Sequence, residues 1–187
     1  SPMRAVLTLH SPALAKAYYA DGLWREDTFY ALLARHAAEN GDETALMDAD
    51  QTLNWGAVLN RVDALAAELQ TNGLTQGDRV SLWMSDRVEA INAFLACSRR
   101  GLACNPSLHK TYTCQEIGTL LTRLGTSVLI TEPGWGADRS NVDFGAMLEE
   151  VPTLKAVIAA EDFPTSTNAP VLAPVVDPDC LAYLAFT

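Results

Sequence analysis

The stretch RVSLWMSDRVEAINAFLACSRRGLACNPSLHKTYTCQEIGTLLTRLGTSVLIT, residues 79–131, contains three short apolar segments separated by two segments of helix length. The apolar segments, at 79–84, 102–105 and 127–131, have the length and residue types of β-strands. Strands that alternate with helices in this order predict a parallel sheet joined by right-handed crossovers. We therefore expect an α/β fold with a mainly parallel, doubly wound sheet between two helical layers.

Each helix in this stretch has sequence signals for its two ends. For the first, Asp86 followed by Glu89 predicts a capping pair, and Gly101 predicts the end. For the second, Thr113 followed by Glu116 forms a capping box, and Gly125 predicts the end. The residues expected to face inward are Val88, Ile91, Phe94 and Leu95 in the first helix and Ile117, Leu120, Leu121 and Leu124 in the second.

The segments on either side extend this pattern. Upstream we predict a helix that begins at Thr28, with Phe29, Leu32, Leu33 and His36 on one face, a hairpin over 45–53, and a long helix capped by Asn54. Downstream we predict a short helix at 142–150 and strands at 156–159 and 181–186. The predicted organisation is a helical and hairpin segment, residues 1–75, packed on an α/β unit, residues 76–187.

Composition limits the class of protein. The 187 residues are 49% hydrophobic and 19% charged, which is typical of a globular chain with a proper core. The formal net charge of −10 has the wrong sign for a protein that neutralises nucleic-acid phosphates. No apolar run approaches the length of about 20 residues that a membrane span requires. We therefore expect neither a nucleic-acid partner nor a membrane span.

The four cysteines, at positions 97, 104, 114 and 180, do not have the spacing of a metal site or of a secreted disulfide framework. We interpret them as reduced thiols and expect a cytoplasmic location.

Local motifs do not form a complete active site. The chain contains neither GxGxxG nor GxxxxGK[ST], so neither type of phosphate cradle can be built from it. His36 is expected at the edge of the core rather than as a base, and Asp48-x-Asp50 is typical of a turn. From this pattern we predict no catalytic residue and no metal ligand.

A set of ordered segments resembles the AMP-forming acyl-CoA synthetases, members of the adenylate-forming enzyme superfamily. Gly77-Asp-Arg-Val80 before a strand, followed by Asp86-x-x-Glu89 and a helix, is similar to that family's Gly-Asp-Arg-Val and Asn-x-x-Glu run. The Asn105-Pro106 turn before Thr113-x-x-Glu116 is similar to its next stretch. Leu53-Asn-Trp55 resembles its Leu-Thr-Tyr entry. The resemblance implies the N-terminal part of the large domain of such an enzyme.

The opening Tyr19-Ala-Asp-Gly-Leu-Trp24 further resembles members that activate cyclic or aromatic acids, such as cyclohexanecarboxylate-CoA ligases and aryl-AMP ligases. At the other end, Asp177-Pro-Asp179 and 181–187 resemble the strand that leads into the family's phosphate loop. Only Thr187 corresponds to that loop, so the resemblance assigns it as the single cofactor-binding residue here. The chain is expected to stop before the rest of the loop and to be inactive alone.

The resemblance also implies cofactors and partners. The full-length parent would use ATP, Mg²⁺ and coenzyme A with a carboxylic acid substrate, and none of these is expected to bind this chain alone. The remaining C-terminal part of the same polypeptide is an expected partner. We also expect self-association, as a homodimer or a larger species, through the apolar surface around Leu181–Phe186 or a neighbouring helix face. Two alternatives stay open: an adenylation enzyme that loads a carrier protein, and a non-catalytic α/β interaction module.

Overall fold

A computed structural model describes residues 28–106 and 108–176. The helices are α1 (Phe29–Asn40), α2 (Trp55–Thr71), α3 (Val88–Arg100), α4 (Cys114–Leu124) and α5 (Phe144–Glu149). The strands are β1 (Thr44–Met47), β2 (Thr52–Asn54), β3 (Arg79–Trp83), β4 (Ala103–Asn105), β5 (Val128–Thr131) and β6 (Ala156–Ala159). The strand predicted at 181–186 lies outside the described residues, as does Thr187.

Four strands form a parallel sheet in the order β4-β3-β5-β6. Val80 of β3 lies beside Cys104 of β4 on one side and beside Val128 of β5 on the other. The chain moves from β3 out to β4, and then returns past β3 to β5 and β6. This reversal of direction is the defining feature of a doubly wound sheet, so the predicted fold class is confirmed.

The sheet has a helical layer on each face. On the first face, Val80, Leu82, Val128 and Ile130 pack with α1, α2 and α3 in the larger core cluster. On the second face, Trp83 and Leu129 belong to a smaller cluster with residues of α4 and α5. Because alternate residues of a strand point to opposite faces, β3 and β5 contribute to both cores. The result is the predicted three-layer αβα arrangement.

The first two helices and the hairpin pack on the first face. Thr28 and Asn54 cap α1 and α2 as expected, their side chains accepting bonds from Ala31 N and Ala57 N. Helix α2 has an apolar stripe that is fully buried, made of Val58, Val62, Leu65 and Leu69. The predicted face of α1 was shifted: Tyr30, Leu33 and Ala37 are buried, whereas Phe29 is 39% exposed and lies against Phe94.

Helix α3 differs from its prediction at two points. Arg87, not Asp86, occupies the N-cap position, and its side chain makes no capping bond. The buried face consists of small and polar residues, among them Asn92, Ala93, Ala96 and Ser98, while Ile91 is 44% exposed. The physical reason is that α3 contacts α1 and α2 as well as the sheet. Small side chains allow the backbones of these three helices to approach closely.

Helix α4 follows its prediction. Thr113 Oγ1 accepts a bond from Glu116 N, and Gly125 ends the helix in the left-handed region at φ 61°. Ile117 and Leu121 are buried in the second core, Leu124 is also buried, and Leu120 is partly buried. The cysteines Cys97, Cys104 and Cys114 are buried free thiols, and Cys180, for which we also predict a reduced thiol, lies outside the described residues.

Candidate functional site

The topology indicates where a ligand would bind: at the edge of the sheet formed by the carboxyl ends of its strands. β3 continues into α3 on the first face, whereas its neighbour β5 continues toward α5 on the second. In open α/β sheets, ligands bind outside the carboxyl ends of strands at such a switch point. The residues that follow β3 and β5 here include Ser85, Arg87 and Glu132.

Ser85 and Glu132 bridge the ends of β3 and β5. Both the backbone N and the hydroxyl of Ser85 donate to Glu132 Oε2, at 2.9 and 2.6 Å. Partial burial raises the pKa of Glu132, but the two bonds from Ser85 and the charge of Arg87 outweigh it, so the pKa lies below its ordinary value. A carboxylate with a lowered pKa is a weak base. The pair therefore does not activate the Ser85 hydroxyl as a nucleophile.

Arg87 connects three carboxylates at this edge. Its Nε donates to Glu89 Oε2 at 2.8 Å, and its Nη1 donates to Glu161 Oε1 at 2.9 Å and lies 3.6 Å from Glu132 Oε1. The bond to Glu89 is the largest reason why the pKa of Arg87 is raised, and burial opposes it. This cluster ties the start of α3 to the segments that follow β5 and β6.

The turn between β1 and β2 adds further hydrogen bonds to this cluster. Asp48 Oδ2 accepts a bond from Val88 N at 3.0 Å, and Gln51 Nε2 donates to Glu89 Oε1 at 2.9 Å. Asp48 Oδ1 also accepts from the N–H groups of Asp50 and Gln51, as expected for the predicted turn. The bond from Val88 is the main cause of a lowered pKa at Asp48. A carboxylate 40 residues upstream thus caps the first turn of α3.

The other helices that start near this edge are also capped by side-chain oxygens. At α4, Thr113 Oγ1 accepts from Glu116 N, and Asp138 Oδ1 accepts from Cys114 N at 2.8 Å. At α5, Asp143 Oδ1 accepts from Ala146 N. Helix N-termini bind phosphate through free N–H groups, and these oxygens already occupy several of them.

On the second face, the loop that contains His109 and the loop that contains Gly136 and Arg139 pack around Trp83. Its indole N–H donates to His109 O at 2.9 Å, and the Arg139 guanidinium lies 5.4 Å from the Trp83 ring centroid and 4.3 Å from that of Phe144. Burial lowers the pKa of Arg139. Gly136 has a φ of 121°, and a Cβ there would lie 2.6 Å from the Trp83 ring. This region is a packed support for the sheet edge.

The electrostatics of the switch point do not suit phosphate. The four carboxylates Asp48, Glu89, Glu132 and Glu161 outnumber the cations near them, which are Arg87, Lys110 beside Glu132, and Arg61 bonded to Gln51, so the local charge at neutral pH is negative. This excess repels the phosphates of a nucleotide. Each carboxylate is already bonded to Arg87, Ser85, Gln51 or a backbone N–H, and in the described part of the chain no group of three or more His, Cys, Asp or Glu is placed to hold a metal ion. These residues therefore do not fit a Mg²⁺ site.

The predicted residues of interest are not brought together. His36 is exposed and packs edge-on against Trp55, with 4.5 Å between ring centroids. Residues 19–24 and Thr187 lie outside the described residues. Sequence reasoning missed Ser85, Arg87 and Glu132. A signal was present, since a polar or acidic residue follows the predicted ends of two adjacent parallel strands. No helix within the described ranges is long and apolar enough to cross a membrane.

Comparisons with known proteins agree with this fold. The family model described as AMP-binding enzyme matches residues 33–187. Protein Y of Streptomyces griseus is 30% identical over 146 residues, which cover 76% of this chain and 45% of that protein. A salicylyl-CoA synthase / salicylate adenylyltransferase of a Streptomyces species is 33% identical over 89 residues, covering 48% of this chain and 16% of that protein.

Among solved structures, a fatty acyl CoA synthetase of Mycobacterium tuberculosis superimposes with a TM-score of 0.70 at 19% identity, covering 86% of this chain and 32% of that one. The chain spans less than half the length of these relatives. Since the family model covers most of the sequence, the chain belongs to the AMP-binding enzyme family, whose acyl-CoA synthetase members it resembles in fold.

Proposed function

We propose that this chain is the N-terminal part of an AMP-forming acid–CoA ligase. In that reaction a substrate carboxylate oxygen attacks the α-phosphorus of ATP and pyrophosphate leaves. The thiol of coenzyme A then attacks the acyl carbon of the adenylate, and AMP leaves. The observation that carries the proposal is the family match over 33–187 on a doubly wound three-layer fold.

The described residues have a supporting role in this proposal. Arg87 and its carboxylates hold the carboxyl ends of β3, β5 and β6 in fixed positions. The acidic character of this cluster and the occupied helix N-termini argue against phosphate binding by these residues. We therefore propose that the phosphate-binding groups belong to sequence from Thr187 onward, and that residues 1–187 alone do not adenylate an acid.

For the acid substrate we propose a class of compounds, the cyclic or aromatic carboxylic acids. The resemblance of residues 19–24 to members that use cyclic or aromatic acids agrees with a relative named for salicylate. The name of that relative includes an adenylyltransferase activity, which is the step that both candidate reactions share, and loading of a carrier protein is our second candidate for the thiol step.

Acid-dependent exchange of labelled pyrophosphate into ATP tests the first step. We expect exchange by the longer polypeptide with a panel of cyclic and aromatic acids, and none by residues 1–187. Exchange by the 187-residue chain would contradict the assignment of phosphate-binding groups to later sequence. Product analysis with coenzyme A or a phosphopantetheinylated carrier protein as acceptor separates the two candidates for the second step.

A further inference from the structure

Helix α4 and the end of α5 enclose an open groove on the outer side of the second face. The groove has a volume of about 510 Å³, and its lining residues include Gly118, Thr119 and Thr122 of α4 with Met147 and Val151 from the other side. A Cβ at Gly118 would have no neighbouring atom within 4 Å outside its own helix backbone. A second helix can therefore approach the backbone of α4 closely at this point.

The two threonines of the groove have their hydroxyl donors satisfied within α4. Thr119 Oγ1 donates to Gln115 O at 3.1 Å, and Thr122 Oγ1 donates to Gly118 O at 2.9 Å. Burial of a hydroxyl is costly chiefly when it lacks a hydrogen-bond partner. A partner surface therefore need not supply acceptors for these two residues, and this face of α4 can be buried at low cost.

The exposed side of α4 carries opposite charges at its two ends. Glu116 lies in the first turn and Arg123 in the last turn, and both are exposed. Because they are seven residues apart, about two turns, they lie on the same side of the helix. Within residues 28–106 and 108–176, neither side chain forms an ion pair. Each charge is thus available to a group of opposite sign on another molecule.

We propose that this face of α4 binds a second copy of the chain, with the two α4 helices antiparallel about a two-fold axis near Thr119. In such a symmetric contact each copy presents the same patch, so the patch must be complementary to itself. An axis at the midpoint between positions 116 and 123 brings Glu116 of each copy beside Arg123 of the other, which gives two equivalent ion pairs. A parallel arrangement would place like charges together, so the charge pattern favours the antiparallel one.

The contact is small, so the dimer should be weak. Helix α4 has 11 residues and is about 16 Å long. Stable interfaces bury about 800 Å² on each partner, more than a single helix of this length supplies. Exposed ion pairs add little affinity, and the net charge of −10 on each copy opposes association. We therefore expect a dissociation constant in the high micromolar range, with the two ion pairs setting the orientation.

Charge reversal followed by sedimentation equilibrium tests the ion pairs. The wild-type 187-residue chain should dimerise at high micromolar concentration. Glu116→Arg and Arg123→Glu each place two like-charged pairs in the contact and should weaken the dimer about tenfold or more. An equimolar mixture of the two variants restores both pairs of opposite charge, so a mixed dimer should form about as well as the wild-type one.

Glu149→Arg is the matched control, since it changes the net charge as Glu116→Arg does but lies on α5 outside the groove. This variant should dimerise at least as well as the wild-type chain. A monomeric wild-type chain would overturn the proposal. A dimer that both reversals leave unchanged would overturn it as well, and would assign the association to the apolar surface around 181–186.

Disulfide cross-linking gives a second measurement of the axis. The three cysteines that the structure describes are buried, and Cys180→Ala removes the fourth thiol. In that background Thr119→Cys lies near the axis, where the two copies of the residue approach within disulfide range. Gln115→Cys, one turn earlier on the same exposed side, lies about 13 Å from its symmetry mate.

With diamide as oxidant we expect covalent dimers from position 119 and none from position 115. Efficient cross-linking at 115 but not at 119 would overturn the antiparallel arrangement. Neither sedimentation nor cross-linking involves pyrophosphate exchange, so failure of the ligase assignment and failure of this dimer contact are distinguishable.

Discussion

Helices α3 and α4 both follow a parallel strand and both end at a left-handed glycine, but they are stabilised differently. Helix α4 lies on the second face beside α5, buries an aliphatic stripe, and is capped by its own Thr113, with a further bond from Cys114 N to Asp138. Helix α3 lies among α1, α2 and the sheet, buries small and polar residues, and is capped by Asp48 of the hairpin. The ends and apolar face of α4 can be identified from its own sequence, whereas those of α3 depend on the elements packed around it.

The test with the largest expected change in stability concerns α4. Leu121 is fully buried and Leu120 partly buried, one residue apart on the same helix. Leu121→Ala should destabilise the chain by about 2–5 kcal/mol through lost burial and a cavity. Leu120→Ala is the matched control and should cost clearly less. Urea unfolding followed by circular dichroism measures both, and equal costs would contradict a one-sided α4.

The second test concerns the tight packing of α3. Ala96 is fully buried, and Ala96→Leu should destabilise by about 1–3 kcal/mol because it forces α3 away from its neighbours. Ile91→Ala, on the exposed side, should change stability by no more than about 0.5 kcal/mol. The same unfolding assay decides. A large loss of stability for Ile91→Ala would contradict this packing and support the inward face that helix periodicity predicts.

The third test addresses the polar contacts between the first three helices. Tyr30 OH donates to Asp63 Oδ1 at 2.7 Å and contacts Arg99, whose guanidinium lies 4.8 Å from the Tyr30 ring centroid. Tyr30→Phe should cost about 1 kcal/mol at neutral pH through the lost hydroxyl. Stability measured at several pH values gives an independent readout.

The pH dependence follows from the pKa of Tyr30. Burial is the main reason why this pKa is raised from 10.0 to about 12, with the bond to Asp63 second. Because the folded state holds the proton more tightly, the stabilisation is complete below pH 10 and falls as the pH rises from about 10 to 12. The Tyr30→Phe variant should lack this fall. An identical alkaline profile in both proteins would contradict the assignment.

The smallest expected effect separates the two capping modes. The pKa of Asp48 is lowered mainly by the bond from Val88 N, so its stabilisation is present above the ordinary value of 3.8 and is lost as the pH falls further. Asp48→Ala should therefore be less stable than wild type at neutral pH and equal to it in acid. Thr113→Ala should lose about 1 kcal/mol with much weaker pH dependence, since a hydroxyl does not titrate.

The sequence predicted the layers better than it predicted the site. Strand lengths, the caps Thr28, Asn54 and Thr113, and the end signal Gly125 act over a few residues, and the structure confirms each. The prediction that Asp86 caps α3 was wrong. The N–H of Val88 donates to Asp48 instead, and no local sequence pattern encodes this contact.

The cluster around Arg87 escaped prediction for the same reason. Its partners come from the segments after β5 and β6 as well as from α3, and they meet only once the strand order is known. Helix periodicity likewise placed Ile91 inward because it assumes a single packing partner. Residue patterns therefore specify which elements form, and long-range topology specifies which side chains meet.

The bond from Val88 to Asp48 also bears on the order in which the chain folds. The Thr113 cap of α4 closes over three residues and can form as soon as that segment is present. The cap of α3 closes a loop of 40 residues, so it carries a larger loop-closure cost and waits for the hairpin to dock. The first turn of α3 should therefore be completed after the folding transition state, and loss of Asp48 should speed unfolding more than it slows folding.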